Sequence, residues 1–202
     1  MAELALVLYL VYLALAFGLR TMIQVRRTGS TGFVGLRGRP GSAEWWGGVL
    51  FALALVLGLT APLLDLLEVV DPLAALDGGL GHALGLALAT AGTALTLYAQ
   101  IAMGTSWRIG VDPAERTELV TTGPFGLVRN PIFAAMLPTS LGIALLVPNV
   151  AALVGFVALV TALELQTRVV EEPYLRQVHG DRYAVYASKV GRFVPGVGRL
   201  GR

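Results

Sequence analysis

Five stretches of this chain run for 14 residues or more without a single Asp, Glu, Lys or Arg. They are residues 4–19, 45–64, 78–103, 131–147 and 150–163, and His82 is the one histidine inside them. A helix that crosses a bilayer needs roughly 17–25 such residues and satisfies its own backbone groups there. The sequence therefore predicts an all-α integral membrane protein with about five transmembrane helices. Composition agrees, since 55% of the 202 residues are hydrophobic and 14% are charged. A soluble domain carries about a quarter charged residues, and a fold of this size could not hide so much apolar surface. The last two runs are short and meet at Pro148-Asn149, which predicts a hairpin over 131–163 that tilts little or barely crosses.

Absence of cysteine excludes disulfides, thiolate metal sites and a catalytic thiol. His82 and His179 are too few for a histidine-rich metal centre, so no metal is expected. Orientation follows from the basic residues. Arg20, Arg26, Arg27, Arg37 and Arg39 fall between the first two runs, Arg108, Arg116 and Arg129 between the third and fourth, and the other seven after the fifth. Five crossings put all of them on one side, while the connection with Asp65, Glu68, Asp71 and Asp77 lies on the other. This predicts an N-terminus outside and a C-terminus in the cytoplasm. The Arg-rich composition and absence of internal targeting signals favour a prokaryotic plasma membrane. Ala14-Leu15-Ala16 resembles a signal-peptidase site, but Met1-Ala2-Glu3 carries none of the positive charge such a leader needs. The first run is therefore read as a retained helix. The Gly/Arg-rich loop from Arg26 to Gly41 is expected to be flexible and to lie near anionic headgroups, and no nucleic-acid partner is expected.

Residues 1–103 thus read as three transmembrane helices with a basic cytoplasmic loop. Residues 104–202 read as a cytoplasmic loop, the hairpin and C-terminal cytoplasmic helices. In the loop, Gly123-Pro124 is a turn signal. Asn130 stands at an N-cap position, and Pro131 can open a helix without losing a hydrogen bond. Trp107-Arg108 sits where the third run ends; it is either an interfacial anchor or a place where Arg108 holds an anionic acceptor group. Gln100, inside the third run, should face a partner or a cavity. In the C-terminal segment, Glu171-Glu172-Pro173 is followed by His179-Gly180-Asp181, with Tyr183 and Tyr186 on one face of a short helix that Asp181 could cap. An amphipathic surface helix is the plain reading, yet adjacent carboxylates at a span's end serve no anchoring purpose.

The ordered set, Gly-Pro-aromatic, Arg-x-Pro opening an apolar hairpin, Glu-Glu, a Gly-Asp turn and Tyr-x-x-Tyr, resembles the C-terminal half of the isoprenylcysteine carboxyl methyltransferase family. That family belongs to a wider group that includes membrane phospholipid methyltransferases. The resemblance covers about residues 104–195, and residues 1–103 add hydropathy alone. It implies an S-adenosylmethionine site on the cytoplasmic side. Gly123 and Pro124 match the turn beside the cofactor, Arg129 the family's arginine, Pro131 the end of that motif, Glu171 and Glu172 the acidic pair, and Tyr183 and Tyr186 the trailing tyrosines. Asn130 stands where the eukaryotic form has histidine, and Phe125 where tyrosine is common.

These residue types suit the cofactor that the resemblance implies. Glu171 or Glu172 can hold an ammonium, Arg129 can grip a carboxylate by two parallel hydrogen bonds, and Phe125, Tyr183 and Tyr186 can pack on adenine or approach a sulfonium. Arg129, Glu172 and Arg108 are read as the residues acting at the reacting groups. Their place at the membrane exit predicts that Arg129, Glu171 and Glu172 serve the ligand and contribute little to the fold. His179 would be a base for an amine or hydroxyl acceptor, although before Gly180-Asp181 it reads as a helix end. The expected activity is methyl transfer from S-adenosylmethionine to a lipophilic or lipidated acceptor entering from the membrane lipids. An NADPH-dependent membrane reductase, akin to steroid reductases, and a non-enzymatic scaffold are the alternatives.

Overall fold

The computed structural model describes residues 1–33, 35, 38–108 and 118–201; Arg37, Arg116 and Arg202 lie outside the described residues. Helix α1 (Ala2–Leu13) passes through a π-helical segment (Ala14–Leu19) into α2 (Arg20–Thr28). Next come α3 (Ala43–Leu66), α4 (Gly79–Met103), α5 (Pro131–Leu146) and α6 (Val150–Leu165). A second π-helical segment (Gln166–Glu171) leads from α6 into α7 (Glu172–His179), and α8 (Asp181–Lys189) follows. Among the described residues there is no strand, and one isolated bridge joins Val128 to Gly191.

Four continuous helices are long and apolar enough to cross a membrane: Ala2–Thr28, Ala43–Leu66, Gly79–Ser106 and Val150–His179. Their outward faces carry large apolar side chains, among them Val7, Val11, Leu53, Val56, Leu95, Ile101 and Val157. Such a surface is stable against lipid and costly against water. The expectation of five spans is met in part. Helix α5 has 16 residues, about 24 Å of rise, and falls short of the other four. The expectation that the last run is also short is corrected. Glu164 and Arg168 end the uncharged run, but they pair with each other one turn apart and leave the helix unbroken, so it runs on past the apolar span to His179, and Glu171, Glu172 and His179 lie beyond that span.

The bundle is built on two close helix pairs, α4 with α5 and α3 with α6. Small residues make the first pair possible. A Cβ placed on Gly142 would lie 2.6 Å from the Gly85 carbonyl oxygen and closer still to the Ala89 nitrogen. One on Gly92 would meet the Thr139 nitrogen at 2.6 Å. Between apolar helices in lipid, such close backbone approach supplies the dispersion contacts that water exclusion cannot. Asn149 closes the α5–α6 turn as expected of that dipeptide. Its side chain accepts from the Ala152 N–H at 2.9 Å and donates to the Ala61 carbonyl at 3.0 Å, tying the turn to α3. Pro131 opens α5 and Asn130 precedes it. Asp181 does not cap α8: Gly180, at φ +51°, holds that place, and Asp181 is the first helical residue.

Candidate active site

At the end of the bundle where α4 stops and α5 begins, the chain turns through a short 3₁₀ segment, Gly123–Gly126. Gly123 takes φ +59° there, a backbone state open to glycine at little cost. The strand-like residues after it lie beside the C-terminal segment: the Arg129 N–H donates to the Gly191 carbonyl at 2.8 Å, and the Asn130 N–H to the Arg192 carbonyl at 3.1 Å. Pro124 and Phe125 are buried in this junction, and the Tyr186 hydroxyl donates to the Phe125 carbonyl at 2.6 Å. Tyr183, almost fully buried, meets Tyr186 edge-on with ring centres 6.2 Å apart. Burial foremost, with the Glu172 charge nearby, pushes the Tyr183 hydroxyl up to about 12.

A charged node lies behind these rings. Glu172 accepts from Arg129 at 2.8 Å and from Arg192 at 2.8 and 3.0 Å, the latter as a two-point grip. All three residues are buried. Burial alone would raise the Glu172 carboxyl, but the two guanidiniums hold it below the usual carboxylate range. Arg129 also donates to the carbonyls of Ala187, Val190 and Gly198. Its terminal nitrogens are thus committed to the protein, and no two-point grip on a ligand carboxylate is left to them. The expectation that Arg129 and Glu172 contribute little to the fold is corrected here. They tie the loop before α5, the start of α7 and the C-terminal segment into one unit.

Glu171 has a different environment from its neighbour, because one helical step turns it about 100° away. It faces Arg108, takes a hydrogen bond from Gln166, and lies in the wall of a cavity. Enclosure by protein, with the adjacent Glu172 charge, raises its pKa to about 7 against the opposing pull of Arg108 and Gln166. It is partly accessible and lines the cavity.

The cavity measures about 440 Å³, within the usual range for small-molecule sites. Arg108, Phe125, Glu171, Tyr183 and Tyr186 line its polar end, together with Arg129, Asn130, Pro131 and Glu172. Phe17, Phe51, Leu55 and Met136 line its apolar end, between α1, α3 and α5. Gly123 and Pro124 shape the turn and are not among the lining residues. His179 ends α7 and is not among the lining residues; burial foremost, with the Arg182 and Arg108 charges, lowers its pKa. Gln100 fulfils both expectations for it. In the first π-helical segment the Arg20 N–H bonds to Leu15 and Phe17 and passes over Ala16. The Ala16 carbonyl accepts from the Gln100 amide at 2.9 Å instead, and Gln100 also lines the cavity. Trp107 is buried rather than an anchor in the interface, with the Arg20 guanidinium 4.7 Å from its ring centre. Arg108 stacks over the Tyr174 ring at 5.2 Å.

A model of the phospholipid methyltransferase family matches residues 80–182, just over half of the chain. The chain belongs to the phospholipid methyltransferase family. The match runs from α4 to the start of α8 and so takes in the 3₁₀ turn, Arg129, the α5–α6 pair and both glutamates. Protein-S-isoprenylcysteine O-methyltransferase B of Arabidopsis thaliana is 30% identical over 113 residues, 55% of this chain and 57% of that protein. The chain thus aligns with little more than half the length of that curated relative. Both findings agree with the family that the motifs resemble, and with a membrane methyltransferase.

Sequence reasoning missed Arg192, Arg20 and Gln24. Arg192 lies beyond the family match, and its signal was a basic residue in a Gly-rich tail that otherwise lacks a purpose. Arg20 and Gln24 lie four apart and are both buried; Gln24 donates to the Thr105 carbonyl at 2.9 Å, and Arg20 to that of Gly104. They fasten α2 to the segment that presents Trp107 and Arg108.

Proposed function

We propose that this protein transfers a methyl group from S-adenosylmethionine to a lipophilic acceptor within the 440 Å³ cavity. The observation that carries the reading is the cavity's two-ended chemistry: a carboxylate and aromatic rings at one end, apolar helix faces at the other. Glu171 suits the cofactor's ammonium. A carboxyl that burial leaves half-protonated near neutrality gains most from an incoming cation. Tyr183, Tyr186 and Phe125 offer aromatic surface for the adenine or the sulfonium, and Asn130 and Pro131 border the same end. Arg108 is the cavity's guanidinium best placed for an anionic group, since Arg129 is held by backbone carbonyls and Glu172. Arg129 and Glu172 act on the reaction as positioning residues, by fixing the loop that carries Phe125 and the separate segments that carry Glu171 and Tyr183.

The cofactor, when bound, supplies an electrophilic methyl. What the chain supplies is alignment of the acceptor with that methyl and exclusion of water. The apolar end gives the acceptor's tail a place between apolar helix faces, so the acceptor is a lipid or lipidated molecule. In the cell, the polar end would face the cytoplasm, the side to which the basic segments are assigned.

Equilibrium binding to the purified protein in lipid nanodiscs tests this. S-adenosylmethionine should bind and NADPH should not. Glu171→Gln removes one charged hydrogen bond, worth about 1.5–3 kcal/mol, and should weaken cofactor binding by roughly 10- to 150-fold. Binding of NADPH in preference to S-adenosylmethionine would overturn the reading.

A further inference from the structure

The cavity's apolar end has a definite floor, and a second space lies beyond it. A smaller hollow of about 40 Å³ is lined by Tyr9, Gly58, Ser140 and Gly155, among others. Three residues border both spaces: Tyr12 of α1, Leu55 of α3 and Met136 of α5. We propose that Tyr12, Leu55 and Met136 form a partition that sets the longest apolar tail an acceptor can carry into the site. This rests on the reading of the cavity as the place of a lipophilic acceptor.

The partition is braced on the far side. The Tyr9 hydroxyl donates to the Leu55 carbonyl at 2.6 Å, and the Tyr9 ring lies against Gly58, where a Cβ would come within 2.7 Å of it. That holds the α3 backbone at Leu55 in place. Tyr12 is buried and meets Phe17 edge-on at 6.1 Å between ring centres, so its ring has little room to swing aside. Met136, also buried, is the unbranched and adaptable member. Tail atoms above the partition each gain contact with apolar walls, about fourfold in affinity per methylene. A tail that reaches the partition gains nothing more, and a longer one must coil or displace packed rings, which cores resist. The hollow beneath is the space such a tail would occupy once a partition residue is cut back.

Photocrosslinking tests this without knowledge of the natural head group. Isoprenoid alcohols of two, three and four units, each with a diazirine at the tail tip, would be bound to the wild-type protein, Tyr12→Ala and Met136→Ala in nanodiscs. Mass spectrometry then reads where each tip reacts. In the wild type, tips that enter should react at Tyr12, Leu55 or Met136 and never beyond. In the variants, the longer probes should react at Tyr9, Gly58 or Ser140, with affinity for the longest probe raised about tenfold or more. The wild-type pattern stands as a test even if one variant fails to fold. Tips that react in the wild type only at lipid-facing Val11 or Leu53, or that already reach Ser140, would overturn the partition. So would variants whose tips stay where the wild type's are. S-adenosylmethionine binding measured on the same samples separates the two ideas: its absence overturns the methyltransferase reading, while the crosslinks alone decide the partition.

Discussion

Two adjacent glutamates show how much a single helical step decides. Glu172 turns toward Arg129 and Arg192 and becomes part of the fold; Glu171 turns toward the cavity and keeps a raised pKa of about 7. Glu172→Gln leaves two buried guanidiniums without their counter-charge. It should destabilise the protein by about 3 kcal/mol or more, seen as a lower melting temperature in detergent. Glu171→Gln should not lower that temperature. The Glu171 shift also sets a pH dependence. Its folded pKa lies above the ordinary value of 4.5, so the native state holds the proton more tightly than the unfolded chain does. Its contribution to stability is therefore full in acid and declines as pH rises toward about 7. Cofactor binding should run the other way, because a cation prefers the ionised carboxylate. Affinity for S-adenosylmethionine should rise as pH passes through about 7 and then level off. In Glu171→Gln the same titration should be flat over that range. The two glutamates could not be told apart in sequence, because the partner that claims Glu172 is Arg192, twenty residues on and fixed by tertiary contacts alone.

Among the elements, hydropathy marked every helix of the bundle, since lipid demands uninterrupted apolar length and the sequence displays it directly. Where it failed, a second force was at work. The run at 150–163 ends at Glu164, but backbone hydrogen bonding, the Glu164–Arg168 pair and a π-helical segment carry the helix on to His179. Each π-helical segment is a local change of register, and a hydropathy pattern does not encode it. The first one leaves the Ala16 carbonyl for Gln100. The close contact of α4 with α5 was equally hidden, because Gly85, Ala89, Gly92 and Gly142 read as apolar filler until their partner is known. Gly142→Val would drive a side chain into the Ala89 backbone and the Gly85 carbonyl. It should cost about 1–3 kcal/mol, measured as loss of thermal stability, and should reduce cofactor binding only in proportion to the folded fraction.

For the whole molecule, the proposed orientation rests on the charges and the proposed activity on the cavity. In the sequence every Lys and Arg falls between the first and second apolar runs, between the third and fourth, or after the fifth, and the proposed arrangement places those segments in the cytoplasm. The chain has no cysteine, so single cysteines at Asp71 and Ser188 report cleanly. They should label from opposite sides of intact cells, with Asp71→Cys accessible from outside. Labelling of Ser188→Cys from outside would reverse the orientation. The family was legible in the order of the motifs from Gly123 to Tyr186, because that order survives without any knowledge of distance. Most of the cavity was not legible, since its walls come from α1, α3, α4, α5 and α6 together, and within residues 1–103 Gln100 alone pointed to it. The central claim is that this cavity moves a methyl group onto a lipid. Purified protein in nanodiscs made with a total lipid extract, given S-adenosylmethionine labelled in its methyl group, tests that claim most directly. The expected result is label that enters the organic-extractable fraction with the wild type and falls at least tenfold with Glu171→Gln. Label that stays wholly in the aqueous fraction, from a protein shown to bind the cofactor, would contradict it.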